Sequence, residues 1–167
     1  MSNFRGHVAG AGFAATAYLA LLSLVFAINL IPDNRAIFNG FSFPIVLVAL
    51  TVMFGIFPDI DTNSKAQDVF YWLLFGADLA LIATQQFKLA AYFGLVAMLP
   101  VLTHHRGWMH AKWAAVVVPT PFLLFPALIY PSDPWVGLPY YGAATLGYFT
   151  HLYLDKLIFK RRFGFIE

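Results

Sequence analysis

The sequence contains five histidines, His7, His104, His105, His110 and His151, a D-x-D pair at Asp59 and Asp61, and a further carboxylate at Asp155. Cysteine is absent, which excludes disulfides, zinc-thiolate sites and thiol catalysis, so a metal would have to rest on imidazole and carboxylate. His151 and Asp155 are four residues apart, a spacing that puts both on one surface of a helix where they could share an ion. Asp59 and Asp61 follow Pro58 in a predicted polar loop, where alternate carboxylates point the same way and could bridge two ions. His105 and His110 bracket a turn at Gly107, with His110 near the start of a helix, and His7 comes just before the first hydrophobic run. His104 is the weakest ligand of the five, because adjacent residues point in different directions.

That leaves four imidazoles, His7, His105, His110 and His151, and three carboxylates, Asp59, Asp61 and Asp155. This donor set suits Zn2+ or Mn2+ better than Mg2+ or copper. Seven ligands exceed one tetrahedral ion. Two ions roughly 3.5–4 Å apart, bridged by a carboxylate, would use them all and make a hydroxide nucleophile from water at neutral pH. Arg106 lies between two of the histidines, and its planar fork suits a phosphate oxygen. Arg106 and Asp61 are therefore the candidate catalytic residues.

The elements that must position these side chains are apolar. Of 167 residues, 60% are hydrophobic and only 11% are charged, the net charge is +2 and the mean hydropathy is +0.73. A soluble domain needs about a quarter of its residues charged to cover its surface, so lipid is the solvent for much of this chain. Disorder and nucleic-acid coating both require more charge than this. Six spans are predicted, at about 8–31, 37–57, 69–84, 89–103, 113–130 and 135–154, packed as one all-α bundle over 1–167. The residues at 85–88 form the turn of a hairpin between the third and fourth spans. The fifth carries Pro119, Pro121 and Pro126 and should be kinked.

Six spans bring the N-terminus, the 58–68 and 104–112 loops and the C-terminal tail to one side. Arg5, Lys65, Arg106, Lys112, Lys156, Lys160, Arg161 and Arg162 lie there, against Arg35 and Lys88 on the other, so that side is predicted to be cytoplasmic. Every candidate ligand falls on the same side.

Blander readings exist for each feature. A single histidine at a membrane interface usually snorkels, and D-x-D is commonly a capping pair at a turn; joint clustering argues against both. Asp78, inside the third span, is read first as a neutral carboxyl hydrogen-bonded within the bundle and second as part of a polar pathway. The four Trp and eight Tyr, among them Trp108, Trp113, Trp135, Tyr140 and Tyr141, read as an interfacial belt. The tail from Lys156 to Arg162 reads as contact with anionic headgroups.

Four ordered motifs carry a resemblance. They are Gly6-His7, Pro58-Asp59-Ile60-Asp61, His105-Arg106-Gly107-Trp108-Met109-His110, and Gly147 through His151 to Asp155. Together they resemble the G-H, P-D-I-D, H-R-G-x-T-H and G-x-x-x-H-x-x-x-D patterns of the YdjM family, the LexA-regulated bacterial inner-membrane metal-dependent hydrolases. That family is thought to be distantly similar to zinc-dependent phospholipase C and related zinc nucleases. The resemblance implies phosphoester hydrolysis at a multinuclear site with the seven residues above as ligands. Two departures, Met109 for Thr and Ala111 for Ser, touch positions beside the ligand His110 and bear on how its ring is oriented.

The expectation is thus a multi-pass protein of a bacterial or archaeal inner membrane with both termini cytoplasmic. It is read as a two-metal phosphoesterase acting on a lipid phosphate or another phosphoester, with membrane lipids and not nucleic acid as partners. The rival is a metal-ion transporter using Asp78, with Asn29, Asn39 and Thr51 as weak path residues. A third reading is a scaffold in which metal only staples helix ends together.

Overall fold

The computed structural model describes residues 3–28, 42–61, 64–87, 90–91, 94, 108–131, 133 and 135–155, without the side chains at 61, 128 and 129. The described residues are helices and turns with no strand. The helices are α1 (Phe4–Ala27), α2 (Ser42–Ile56), α3 (Lys65–Ala83), α4 (Ala114–Val117), α5 (Pro121–Ile129) and α6 (Leu138–Leu154). Two 3-10 turns, Phe57–Asp61 and Trp108–His110, complete the order.

Among the described residues three helices are long and apolar enough to cross a membrane, which corrects the expected six. The three are α1, α3 and the helical run Ser42–Ile60, which is α2 continued into the 3-10 turn after it, and the predicted span at 89–103 lies almost wholly outside the described residues. The predicted span at 113–130 is broken into α4 and α5. Pro119 and Pro121 each lack an N–H and crowd the preceding turn, so the regular hydrogen-bond ladder is interrupted there while Val118 and Thr120 keep helical dihedrals, as expected of a kink. α6 starts at Leu138, with Pro139 in its first turn, and its 17 residues rise about 25 Å, short of a full hydrocarbon core. The turn expected after the third span is present at its first two residues. The N–H groups of Gln85 and Gln86 donate to the carbonyls of Ile82 and Leu81, with Gln85 at φ 60°, which closes α3 in a Schellman motif.

α1, α2 and α6 pack on one another as the core. Leu47, Leu50 and Phe54 of α2 meet Ala143, Ala144, Tyr148 and Leu152 of α6, and Ala114 and Ala115 of α4 close the cluster. Small residues let these backbones touch. A Cβ on Gly147 would lie 2.1 Å from the Thr51 carbonyl oxygen, and one on Gly55 would lie 2.5 Å from the Ala11 Cβ. Such contacts replace the hydrophobic drive that lipid does not supply between helices. At the far end of α1 the Tyr18 hydroxyl donates to the Pro139 carbonyl at 3.0 Å, tying α1 to the start of α6.

α3 is attached differently. It packs chiefly against the Phe57–Asp61 turn, through Phe70 beside Ile60 and Met109, and leaves Val69, Trp72, Leu73, Phe75 and Leu79 exposed.

Candidate metal centre

Ala11, Gly55 and Gly147 form the layer where α1, α2 and α6 come closest. His7, Asp59 and His151 are each four residues from one of these three, and so stand one helical turn further along. The close packing of one layer therefore delivers the next as a cluster. His7 and His151 are 1% and 0% exposed, and their rings stack at 4.0 Å between centroids and 16° between planes.

Local devices fix each contributor. Asn3 caps α1, its Oδ1 accepting from the Gly6 N–H at 2.9 Å, so His7 lies inside the first turn of α1 and not ahead of it as expected. At Pro58 no N–H is available to continue α2, and the chain tightens into the 3-10 turn that carries Asp59. The expected polar loop is thus a helical turn. The alternation expected of Asp59 and Asp61 involves the side chain of Asp61, which lies outside the described residues. The Ser64 hydroxyl donates to the Asp59 carbonyl at 2.9 Å while accepting from the Gln67 N–H, which joins this turn to the cap of α3. His110 ends the other 3-10 turn, four residues before α4 and so near the start of a helix as expected.

His151 is held directly. Its Nδ1–H donates to the Gly55 carbonyl at 3.0 Å, which leaves the Nε2 lone pair facing the carboxylates. That nitrogen is 3.5 Å from Asp59 Oδ1 and 3.9 Å from Asp155 Oδ2. His110 Nε2 is 3.6 Å from Asp59 Oδ1, while His7 Nε2 is 3.8 Å from Asp59 Oδ2 and 3.4 Å from Asp155 Oδ1. Asp59 thus presents one oxygen to His110 and His151 and the other to His7.

The donors of Asp59, His110, His151 and Asp155 all lie within 4.8 Å of one another. His7 Nδ1 and Nε2, His110 Nδ1 and Nε2, and His151 Nε2 are buried and make no hydrogen bond. Buried polar atoms normally find partners. Here the three Nε2 atoms face carboxylates at distances too long for good hydrogen bonds but close to the roughly 3.4 Å that separates two ligands of one tetrahedral ion with ~2.1 Å bonds. Two carboxylates facing three imidazoles are also a donor set that a divalent cation can use. The residues therefore fit a metal ion.

Of the seven ligands expected, five come together: His7, Asp59, His110, His151 and Asp155. His104, His105, Arg106 and the tail from Lys156 lie outside the described residues, as does the side chain of Asp61. Asp78 lies in α3, and its Oδ1 is buried without a hydrogen bond, in place of the one expected within the bundle. Trp108, Trp113 and Trp135 are exposed, in keeping with a belt. Tyr148 is not a belt residue: it is fully buried, and its hydroxyl donates to the Met109 carbonyl. Gly55 and Tyr148 were missed as positioning residues. The signal available for Gly55 was its place four residues before Asp59, matching that of Gly147 before His151.

A sequence profile described as YdjM inner membrane protein matches residues 1–160. No curated protein and no solved structure matches the chain.

Proposed function

Because the chain belongs to the YdjM inner membrane protein family, whose profile spans nearly all of it, we propose that it is a membrane-embedded, metal-dependent phosphoesterase. The observation that carries this reading is the buried meeting of Asp59, His110, His151 and Asp155 at one end of the helical core. Their donors and His7 would hold the metal, as two Zn2+ or Mn2+ ions. Asp59, with one oxygen toward His110 and His151 and the other toward His7, could serve two ions. A divalent metal bound there supplies Lewis-acid polarisation of water and of a phosphoryl oxygen.

The protein's own groups do the rest. The Gly55 carbonyl holds the His151 ring in the tautomer that keeps Nε2 free to bind. Arg106 grips a non-bridging phosphate oxygen through its fork, and a protonated Asp or a metal-bound water would serve the leaving group. The chain crosses the membrane several times with the ligand cluster on the cytoplasmic side, where positive charge is concentrated. A site at the end of membrane helices meets lipids by lateral diffusion, so a lipid phosphate is the substrate class.

Elemental mass spectrometry on protein in mild detergent tests this, alongside a panel of lipid and soluble phosphoesters. Wild type should carry about two metal ions per chain, Asp59→Ala none, and His7→Ala about one. A fully metallated protein that leaves every phosphoester untouched would end the hydrolase reading. The rival, metal transport, is favoured by one observation, the buried and unpaired Oδ1 of Asp78 in α3. Metal uptake into proteoliposomes that Asp78→Ala abolishes would put transport first.

A further inference from the structure

The two histidines that face Asp59 Oδ1 are oriented by different means. His151 has its own hydrogen bond, from Nδ1 to the Gly55 carbonyl. His110 has none: Nδ1 is buried without a partner, and Nε2 points at the carboxylate from 3.6 Å. A metal-binding histidine usually donates its second N–H to a carbonyl or carboxylate, which fixes the ring and strengthens the ligand. The place of His110 must therefore come from the backbone that carries it.

That backbone is a three-residue 3-10 turn, Trp108–His110, closed by the Ala111 N–H donating to the Trp108 carbonyl at 2.9 Å. Two features moor the turn. The Met109 side chain is buried against Ile60 and Phe70, and the Met109 carbonyl accepts from the Tyr148 hydroxyl. Tyr148 has no exposed surface, and its ring packs against Phe54 and Phe57, with centroids 6.4 Å and 6.0 Å away. It lies one residue after Gly147, which presses on α2, and three before His151. Its ring is thus locked to the helix that supplies His151 and Asp155, while its hydroxyl reaches the peptide just before His110. The T-shaped approach of the His110 and His151 rings, 5.5 Å between centroids, is the geometry this connection sets.

We propose that Tyr148 is a positioning residue of the metal centre, which fixes His110 relative to His151 and Asp59 by holding the Met109 carbonyl. The inference rests on the metal-binding reading above. It assigns to Tyr148 the task that the Gly55 carbonyl performs for His151.

The test is Co2+ and Zn2+ titration of chelator-stripped protein in detergent, for wild type, Tyr148→Phe, His110→Ala and the double variant. Tyr148→Phe removes one oxygen and keeps the ring, and circular dichroism should show unchanged helix content. Metal affinity should fall roughly tenfold, and the Co2+ absorption spectrum should change shape. In the His110→Ala background the same substitution should have no further effect, because the residue through which Tyr148 acts is gone. A merely structural tyrosine would weaken both backgrounds alike, and that result overturns the proposal. So does unchanged affinity in Tyr148→Phe. Should Tyr148→Phe fail to fold, an ester at the Met109–His110 linkage weakens the same carbonyl acceptor with Tyr148 intact. It should give the same loss of affinity, and unchanged affinity there counts against the proposal. Wild type that binds neither metal overturns the metal-binding reading itself and this inference with it, an outcome distinct from the others.

Discussion

α2, with the turn that continues it to Ile60, and α3 are both long and apolar enough to cross a bilayer, yet half of the most apolar stretch of the first is buried in the protein and only 11% of that of α3. Composition separates them little. What differs is where small residues fall. Gly55 of α2 sits against Ala11 and near Gly147, with no room for even a methyl group. Gly76 of α3 has nothing within 4 Å of its missing Cβ. α2 is therefore bound into a three-helix core by backbone contact, whereas the described part of α3 presents exposed apolar side chains. The comparison teaches that apolarity decides that a helix enters lipid, and that the pattern of small residues decides which helices can place functional groups together.

The sharpest test of this contrast is metal removal, since every expected ligand in the described cluster sits at the end of the α1–α2–α6 core or on the turns packed beside it. With free metal a thousandfold above its dissociation constant, thermal unfolding in detergent should show about 4 kcal/mol of added stability. The gain should vanish in His151→Ala, and a gain that persists there would place the metal elsewhere.

Next in size is Gly147→Ala. Its methyl would meet the Thr51 carbonyl at 2.1 Å, and backbone cannot yield as a flexible side chain would. A loss of about 3 kcal/mol is expected, together with loss of bound metal as the layer of His7, Asp59 and His151 is pushed apart. Unchanged metal content in a folded Gly147→Ala protein would break the link drawn between the two layers.

Gly76→Ala on α3 is the small-effect counterpart. Open space at the Cβ predicts a change within about 0.5 kcal/mol and unaltered metal content, checked by the same melting curves. A large loss there would mean that α3 is packed by a partner and not by lipid.

Much of the site was legible in the residues alone. The absence of cysteine, the four-residue spacing of His151 and Asp155 and the carboxylate after Pro58 pointed to imidazole and carboxylate ligands, and five of the seven meet. Spacing within a helix is a local property, so it can be read without the fold. The count of spans was read less well. Hydropathy scores a run as apolar whether or not its hydrogen-bond ladder is regular, and prolines at 119 and 121 interrupt the ladder of a run that hydropathy joins. Tyr148 was grouped with the interfacial aromatics because composition cannot tell a ring inside a bundle from one at its surface.

What the sequence by itself determined is therefore the solvent of the chain, the kinds of donor available and the end of the helices at which they gather. Only the tertiary structure decided that Ala11, Gly55 and Gly147 touch, that the Gly55 carbonyl fixes the His151 ring and that Tyr148 reaches the peptide before His110. These are contacts between segments up to about 140 residues apart, made by backbone atoms that every residue carries alike. No residue type announces them, and they exist only once helices lie close enough for one segment's carbonyl to meet another's side chain.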